Sequence, residues 1–223
     1  MKTILSTAGL MLFLLISTAL TAQTSTERKT MSEGVYEAIV IQIPDLDQKT
    51  VGSLWADFTK DFYGVRSKYN RKTKEYFSDD ADIAGIGLGN TFDMYASIEE
   101  RGNGTEVSVW YDLGGAYLSS REHGDRHLEA EKMLLRFGLE AAKEKIRLDI
   151  KAQEKALSGL QGDLKKMEND KGRLEREIEK AQEAIARAEE GLEQNAQDQE
   201  NKNVEIKAQE ELIEATKRKL KDL

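Results

Sequence analysis

Cysteine is absent from this chain, proline occurs once, and histidine and tryptophan occur twice each. Without cysteine there is no disulfide and no cysteine-anchored lipid, so the folded chain must be held by packing alone. The lone proline, Pro44, cannot donate to a strand ladder and marks the end of a strand. Long apolar runs are missing after residue 22, and no later segment approaches transmembrane length. Cations are the minority: 33 Lys and Arg stand against 41 Asp and Glu, a formal charge of −8. That balance argues against bulk binding to nucleic acid or to anionic lipid surfaces.

What is present begins with an export pattern. Lys2 supplies a positive start, Leu10–Ile16 an apolar run, and Ser17–Ala22 a stretch rich in small residues. This order predicts a signal peptide over residues 1–22, cleaved after Ala22, with Ala19 as the other position. The mature product is then periplasmic or secreted. Its net charge becomes −9, because Lys2 is the only charged residue removed.

Residues 23–33 are polar without a period and are expected to form a flexible lead-in. An α+β domain is expected over 34–145. Val35, Tyr36, Ile39, Val40, Ile41 and Ile43 make a β-branched run ending at Pro44. Val51, Leu54, Trp55, Phe58 and Phe62 then fall on one helical stripe, which Gly64 is placed to stop. Four strands are expected next: Val65–Asn70, Glu75–Ile83 (interrupted by Ser78-Asp79-Asp80), Thr91–Ile98 and Thr105–Leu113. Between the last two, Asn103-Gly104 suits the two positive-φ positions of a type I′ turn. A helix starting near Ser119 or Asp125 carries Leu128, Met133, Leu134, Leu135, Phe137, Leu139 and Ala142, a face broad enough to cover a sheet. The resulting order, β-α-β-β-β-β-α, is similar to the TATA-binding-protein-like fold class, a likeness of topology that implies no function.

Beyond Ile146 the texture is that of a coiled coil. Steps of four and three thread without a skip from Ile146 and Ile150 through Leu157, Leu160, Leu164 and Met167 to Leu220 and Leu223. Fully helical from residue 125, this segment would reach on the order of 150 Å. The seam has polar layers at Lys171 and from Asn195 to Lys202, and its flanks are mostly acidic. In a parallel dimer Asp163 would meet Glu168, Asp170 would meet Glu175, and Glu205 would meet Glu210. Three arrangements stay open: self-association of a continuous helix, a hairpin turning at Glu193–Asn203, or pairing with another helical protein. Gly159 and Gly162 offer a further hinge.

The residues that could carry chemistry are few. His123 and His127 lie four apart, and with Glu131 they could hold a transition metal if the helix starts at Ser119. Arg66, Lys68, Arg71 and Lys72 surround Tyr69 in an otherwise acidic chain and could meet an envelope glycan or lipid; charges that keep a sheet edge from pairing are the plainer account. Asp79, Asp80, Asp82 and Gly85 resemble the start of a calcium loop, but Thr91 stands where the loop needs a bidentate Glu. The glycine-rich stretch Gly85–Asn90 lacks the Lys-Ser/Thr of a phosphate loop and reads as a bend. No nucleophile–base pairing emerges, so neither an enzyme nor a cofactor is expected.

The run Asp112-Leu113-Gly114-Gly115-Ala116-Tyr117-Leu118-Ser119-Ser120, followed by a charged helix, resembles exported bacterial proteins that pair a small α+β domain with a long C-terminal charged helix. The resemblance spans residues 35–223 loosely and implies no activity and no functional residues; Gly114-Gly115 would be the backbone site to examine. The expected role is a non-catalytic envelope protein that assembles or spaces through its helix. A periplasmic holdase chaperone, or small-ligand or metal binding by the α+β domain, are the other expectations.

Overall fold

The computed structural model describes residues 23–221, so the expected signal peptide lies outside the described residues. It is α+β with a long helix. Strands β1 (Thr24–Met31) and β2 (Gly34–Pro44) precede helix α1 (Gln48–Tyr63). Four further strands follow, β3 (Lys68–Asn70), β4 (Glu75–Ala81), β5 (Phe92–Arg101) and β6 (Gly104–Asp112), and then helix α2 (Gly124–Lys221). The strands form one sheet in the order β1-β2-β6-β5-β4-β3, every neighbour antiparallel. Two compact units divide the chain, Met1–Ala152 and Gln153–Leu223.

Residues 24–31, expected as flexible lead-in, are instead strand β1, paired along its whole length with β2. Its threonines suit a strand, yet only Met31 brings apolar burial. The rest of its support is long-range: Lys29 pairs with Glu106, and the Thr26 hydroxyl sits 3.2 Å from His127 Nε2. Six strands in the order β-β-α-β-β-β-β-α do not establish the five-strand, TATA-binding-protein-like topology.

Helix α1 forms as its stripe implies. The Asp47 carboxylate accepts from Thr50 N–H at 2.9 Å, capping the start. Gly64 ends it in the left-handed conformation at φ 69°, with Gly64 N–H bonded to Lys60 O and Val65 N–H to Thr59 O. Val51, Trp55 and Phe58 are buried, while Phe62 at the far end of the stripe is exposed. Gly52 lets the helix sit down on the sheet, since a Cβ there would meet the Tyr76 hydroxyl at 2.2 Å.

The first turns of α2 complete the core through Ala130, Met133, Leu134, Phe137 and Ala141, all buried against the sheet. Each fully buried aromatic or aliphatic side chain is worth about 1.5–3 kcal/mol. The apolar face expected here splits in two, because a helix laid on a sheet buries only one arc. Leu128, Leu135 and Leu139, turned roughly 100° or more from that arc at 100° per residue, are exposed.

The β5–β6 hairpin turns one residue earlier than expected. Arg101 pairs with Gly104, so Gly102-Asn103 make the turn. Gly102 has φ 64° and Asn103 does not have positive φ, which is the type II′ pattern rather than I′. Gly104 belongs to the strand, where a Cβ would lie 2.3 Å from Ile43 O on β2.

The sheet face away from the helices carries a second cluster: Met31, Ala38, Val40 and Trp110, with Tyr36, Tyr95 and Tyr117 packed on it. Ser32, in the β1–β2 turn, donates its N–H and hydroxyl to Glu75 of β4 at 2.8 and 2.6 Å. Those strands are three places apart, so the sheet must curl over this face, which explains how Trp110 is buried with no helix above it.

Candidate interaction surfaces

In the second unit, residues 153–219 are helical and, apart from the half-buried Gly172, exposed, including 193–203, so the fold-back hairpin does not occur. The seam faces solvent, with exposures running from 44% at Ile213 to 71% at Leu192. Ion pairs along the helix are local: Lys166–Asp163 at 3.1 Å, Arg173–Asp170 at 3.3 Å and Lys217–Glu214 at 2.9 Å among them. Exposed pairs of this kind add only about 0.2–0.5 kcal/mol each. They account for a soluble outer surface of the helix, and leave the Leu and Ile row without cover in the single chain.

The basic cluster forms the β3–β4 hairpin. β3 is the sheet edge opposite β1, and Arg66, Lys68, Arg71, Lys72 and Lys74 are all exposed there. Asn70 organises the turn, its side chain accepting from Lys72 N–H at 3.0 Å and its carbonyl from Lys74 N–H at 2.8 Å. Tyr69 lies against Tyr76 with ring centroids 5.1 Å apart. Cations along an edge of this kind discourage sheet-to-sheet pairing.

Gly114 (φ 82°) and Gly115 (φ 151°) make a tight reversal that brings Tyr117 back beside Asp112. Gly114 N–H donates to Asp112 Oδ1 at 3.0 Å and Leu113 N–H to Ala116 O at 2.9 Å. Those donors are thus used within the loop. The loop sets Tyr117 on Tyr36, rings stacked at 3.6 Å.

Helix α2 begins at Gly124, which leaves His123 just ahead of it with Nδ1 accepting from Ser119 N–H at 3.2 Å. His127 is buried where β1, β2 and α2 meet. Its Nε2 lies 3.2 Å from Thr26 Oγ1 and 3.7 Å from Glu37 Oε1, and its Nδ1 lies 3.8 Å from Glu131 Oε1. Among the described residues, His123, His127 and Glu131 do not bring three ligand atoms within 4.8 Å of one another; Asp79, Asp80 and Asp93 do. The latter are tied up locally, Asp93 accepting from Asp80 N–H at 3.0 Å and Asp80 from the Thr91 hydroxyl at 3.1 Å.

Two features went unread in the sequence. Glu106 is buried on the open sheet face and ringed by Lys29, Gln42 Nε2 at 2.5 Å and Arg101 Nη1 at 2.9 Å. Burial pushes its carboxyl up, but the Lys29 bond and charge, with Arg101 and Gln42, outweigh it and hold it below the usual range. On the same face Trp110 Nε1 is buried without a partner, and Tyr95 is pushed up to about 12 by burial and by nearby Glu33, Asp93 and Asp112. A shallow apolar groove also runs between Ile43 and Pro44 of β2 and Ala141, Ala142 and Ile146 of α2.

Set beside known proteins, the chain matches no family model, no curated protein and no solved structure at a significant level. Among the described residues no helix is long and apolar enough to cross a membrane.

Proposed function

We propose that this is a non-catalytic, exported protein of the bacterial envelope whose α2 helix drives assembly by burying its seam against another helix, with the six-stranded domain as the module so displayed. The observation that supports this is the exposed apolar row at seam spacing from Leu157 to Leu192, broken by Lys171 and resumed at Ile206 and Ile213. Covering one leucine is worth about 1.5–3 kcal/mol. A like-charge pair on the flank costs only about 0.2–0.5 kcal/mol, so the seam dominates. The Lys2, Leu10–Ile16 and Ser17–Ala22 pattern supports export.

Photo-crosslinking in cells exporting the chain tests the reading. A photoreactive side chain at Leu174, on the seam, should yield a discrete adduct, and the same group at Arg176, on the opposite side of the helix, should not. Equal crosslinking at both positions, or none at Leu174, Ile178 and Ile185, would end it.

A further inference from the structure

The flanks of the seam are almost free of cations. In heptad terms the residues beside the seam, positions e and g, number 19 from Asp149 to Leu212; 11 are Asp or Glu and none is Lys or Arg. The cations of the same stretch lie elsewhere. Lys165, Lys166, Arg173 and Arg187 face away from the seam, while Lys171 and Lys202 sit within it. Cations are thus abundant on the helix but kept off its two contact margins.

Interhelical pairing at those margins decides partner choice and orientation. In a parallel pair of two copies, position g of one meets e of the other; in an antiparallel pair, g meets g and e meets e. No such juxtaposition within 149–212 sets a cation against a carboxylate, and several set carboxylate against carboxylate. No register between two copies restores complementarity, because the only cations at these positions are Arg147, Lys217 and Lys219 near the ends. A parallel pair in register would also face Lys171 with Lys171 and Lys202 with Lys202.

From this we infer that the seam is built for a different chain: an amphipathic helix with Lys or Arg along both margins and acidic or amide residues where it meets Lys171 and Lys202. The inference rests on the assembly reading above and names the partner's chemistry. An anionic membrane surface, the other home for an amphipathic helix, fits poorly, since membrane-lying helices carry cations beside the apolar face. The exposed stripe does not begin at the second unit. Leu128, Leu135, Leu139, Ile146 and Ile150 form an exposed row on α2 within the first unit, and the groove beside Ile146 is floored by Ala141 and Ala142. Small residues there leave room for a helix to approach closely.

The test uses the full mature chain, residues 23–223, and two synthetic helical peptides with Leu and Ile at their seam positions. One carries Lys at every e and g, the other Glu. By fluorescence anisotropy at low salt, the lysine peptide should bind at least tenfold tighter, and the preference should shrink as salt is raised. Replacing Glu154, Glu168, Glu175 and Glu189 by Lys, with helix content checked by circular dichroism, should sharply reduce the preference. Changing Leu174 and Ile178 to Asp should abolish binding of both peptides. If the chain instead pairs with itself more tightly than with the lysine peptide, the partner assignment falls while helix-mediated assembly stands. Equal binding of the two peptides likewise overturns the assignment alone. Lysine-peptide binding that survives the Leu174 and Ile178 changes overturns both, since the contact would then be diffuse charge attraction.

Discussion

At the scale of single residues, the buried carboxylate of Glu106 offers the sharpest leverage on stability. Its folded value lies below that of an ordinary glutamate because Lys29, Arg101 and Gln42 all favour the charged form. A carboxyl depressed on folding contributes stability above its unfolded value, near 4.5, and loses it as pH falls through the lower folded value. Glu106→Gln should therefore destabilise the protein at pH 7 by about 1.5–3 kcal/mol, the range for charged hydrogen bonds. The gap between variant and parent should narrow as pH falls below about 4.5 and close only once the folded carboxyl is itself protonated. Chemical denaturation at pH 7 and pH 3 measures this directly, and an equal loss at both values would mean that shape rather than charge holds the network. Glu37 adds to the same acid sensitivity. Burial raises its carboxyl, but bonds from Ser120 and the charges of His127 and Arg28 lower it further than burial raises it.

At the scale of elements, what was legible is what local chemistry decides. The α1 stripe and its Gly64 stop required only helical spacing and a residue tolerant of positive φ. The interruption in β4 was visible as Ser78-Asp79-Asp80, and the ladder does shift register between Ser78 and Ala81, with Asp80 at φ 49°. What was not legible depends on distant partners. β1 was missed because Lys29 finds Glu106 77 residues away and Thr26 finds His127 101 residues away. The hairpin turn slipped by one because Gly104 answers to the backbone of β2, not to its own turn. His127 was singled out as a possible ligand, yet its neighbours Thr26 and Glu37 come from strands whose approach no spacing announces. Helix α2 yields the element-scale prediction. Gly159 and Gly162 lie off the seam, and nothing occupies the space a Cβ would take. Since alanine is favoured over glycine by about 1 kcal/mol in a helix interior, Gly159→Ala and Gly162→Ala should slow amide exchange around residues 155–166 roughly fivefold each, leaving exchange in the six-stranded sheet unchanged. No slowing there would mean that the glycines already sit in a rigid, supported helix.

At the scale of the whole molecule, charge is distributed by role. The first unit gathers Arg66, Lys68, Arg71, Lys72 and Lys74 on one sheet edge, whereas the long helix shows carboxylates along its contact margins. The helix thus holds two opposing tendencies, an apolar row that favours pairing and margins that oppose pairing with its own kind. Which tendency governs the chain on its own depends on how far the carboxylates sense each other. At 0.01 M salt the screening length is roughly 30 Å, which spans several heptads, and at 1 M it is roughly 3 Å, shorter than the gap across a margin. Light scattering on residues 23–223 should therefore give its lowest average mass at low salt and a rising average mass as salt approaches 1 M, at fixed protein concentration. Attractive surface pairing would show the opposite trend, dissociating as salt is added. The margin variant with Glu154, Glu168, Glu175 and Glu189 changed to Lys places both signs on the seam and should associate most readily at low salt, inverting the dependence. A salt-independent dimer of the parent chain would show that the seam alone sets the assembly and that its acidic margins do not select the partner.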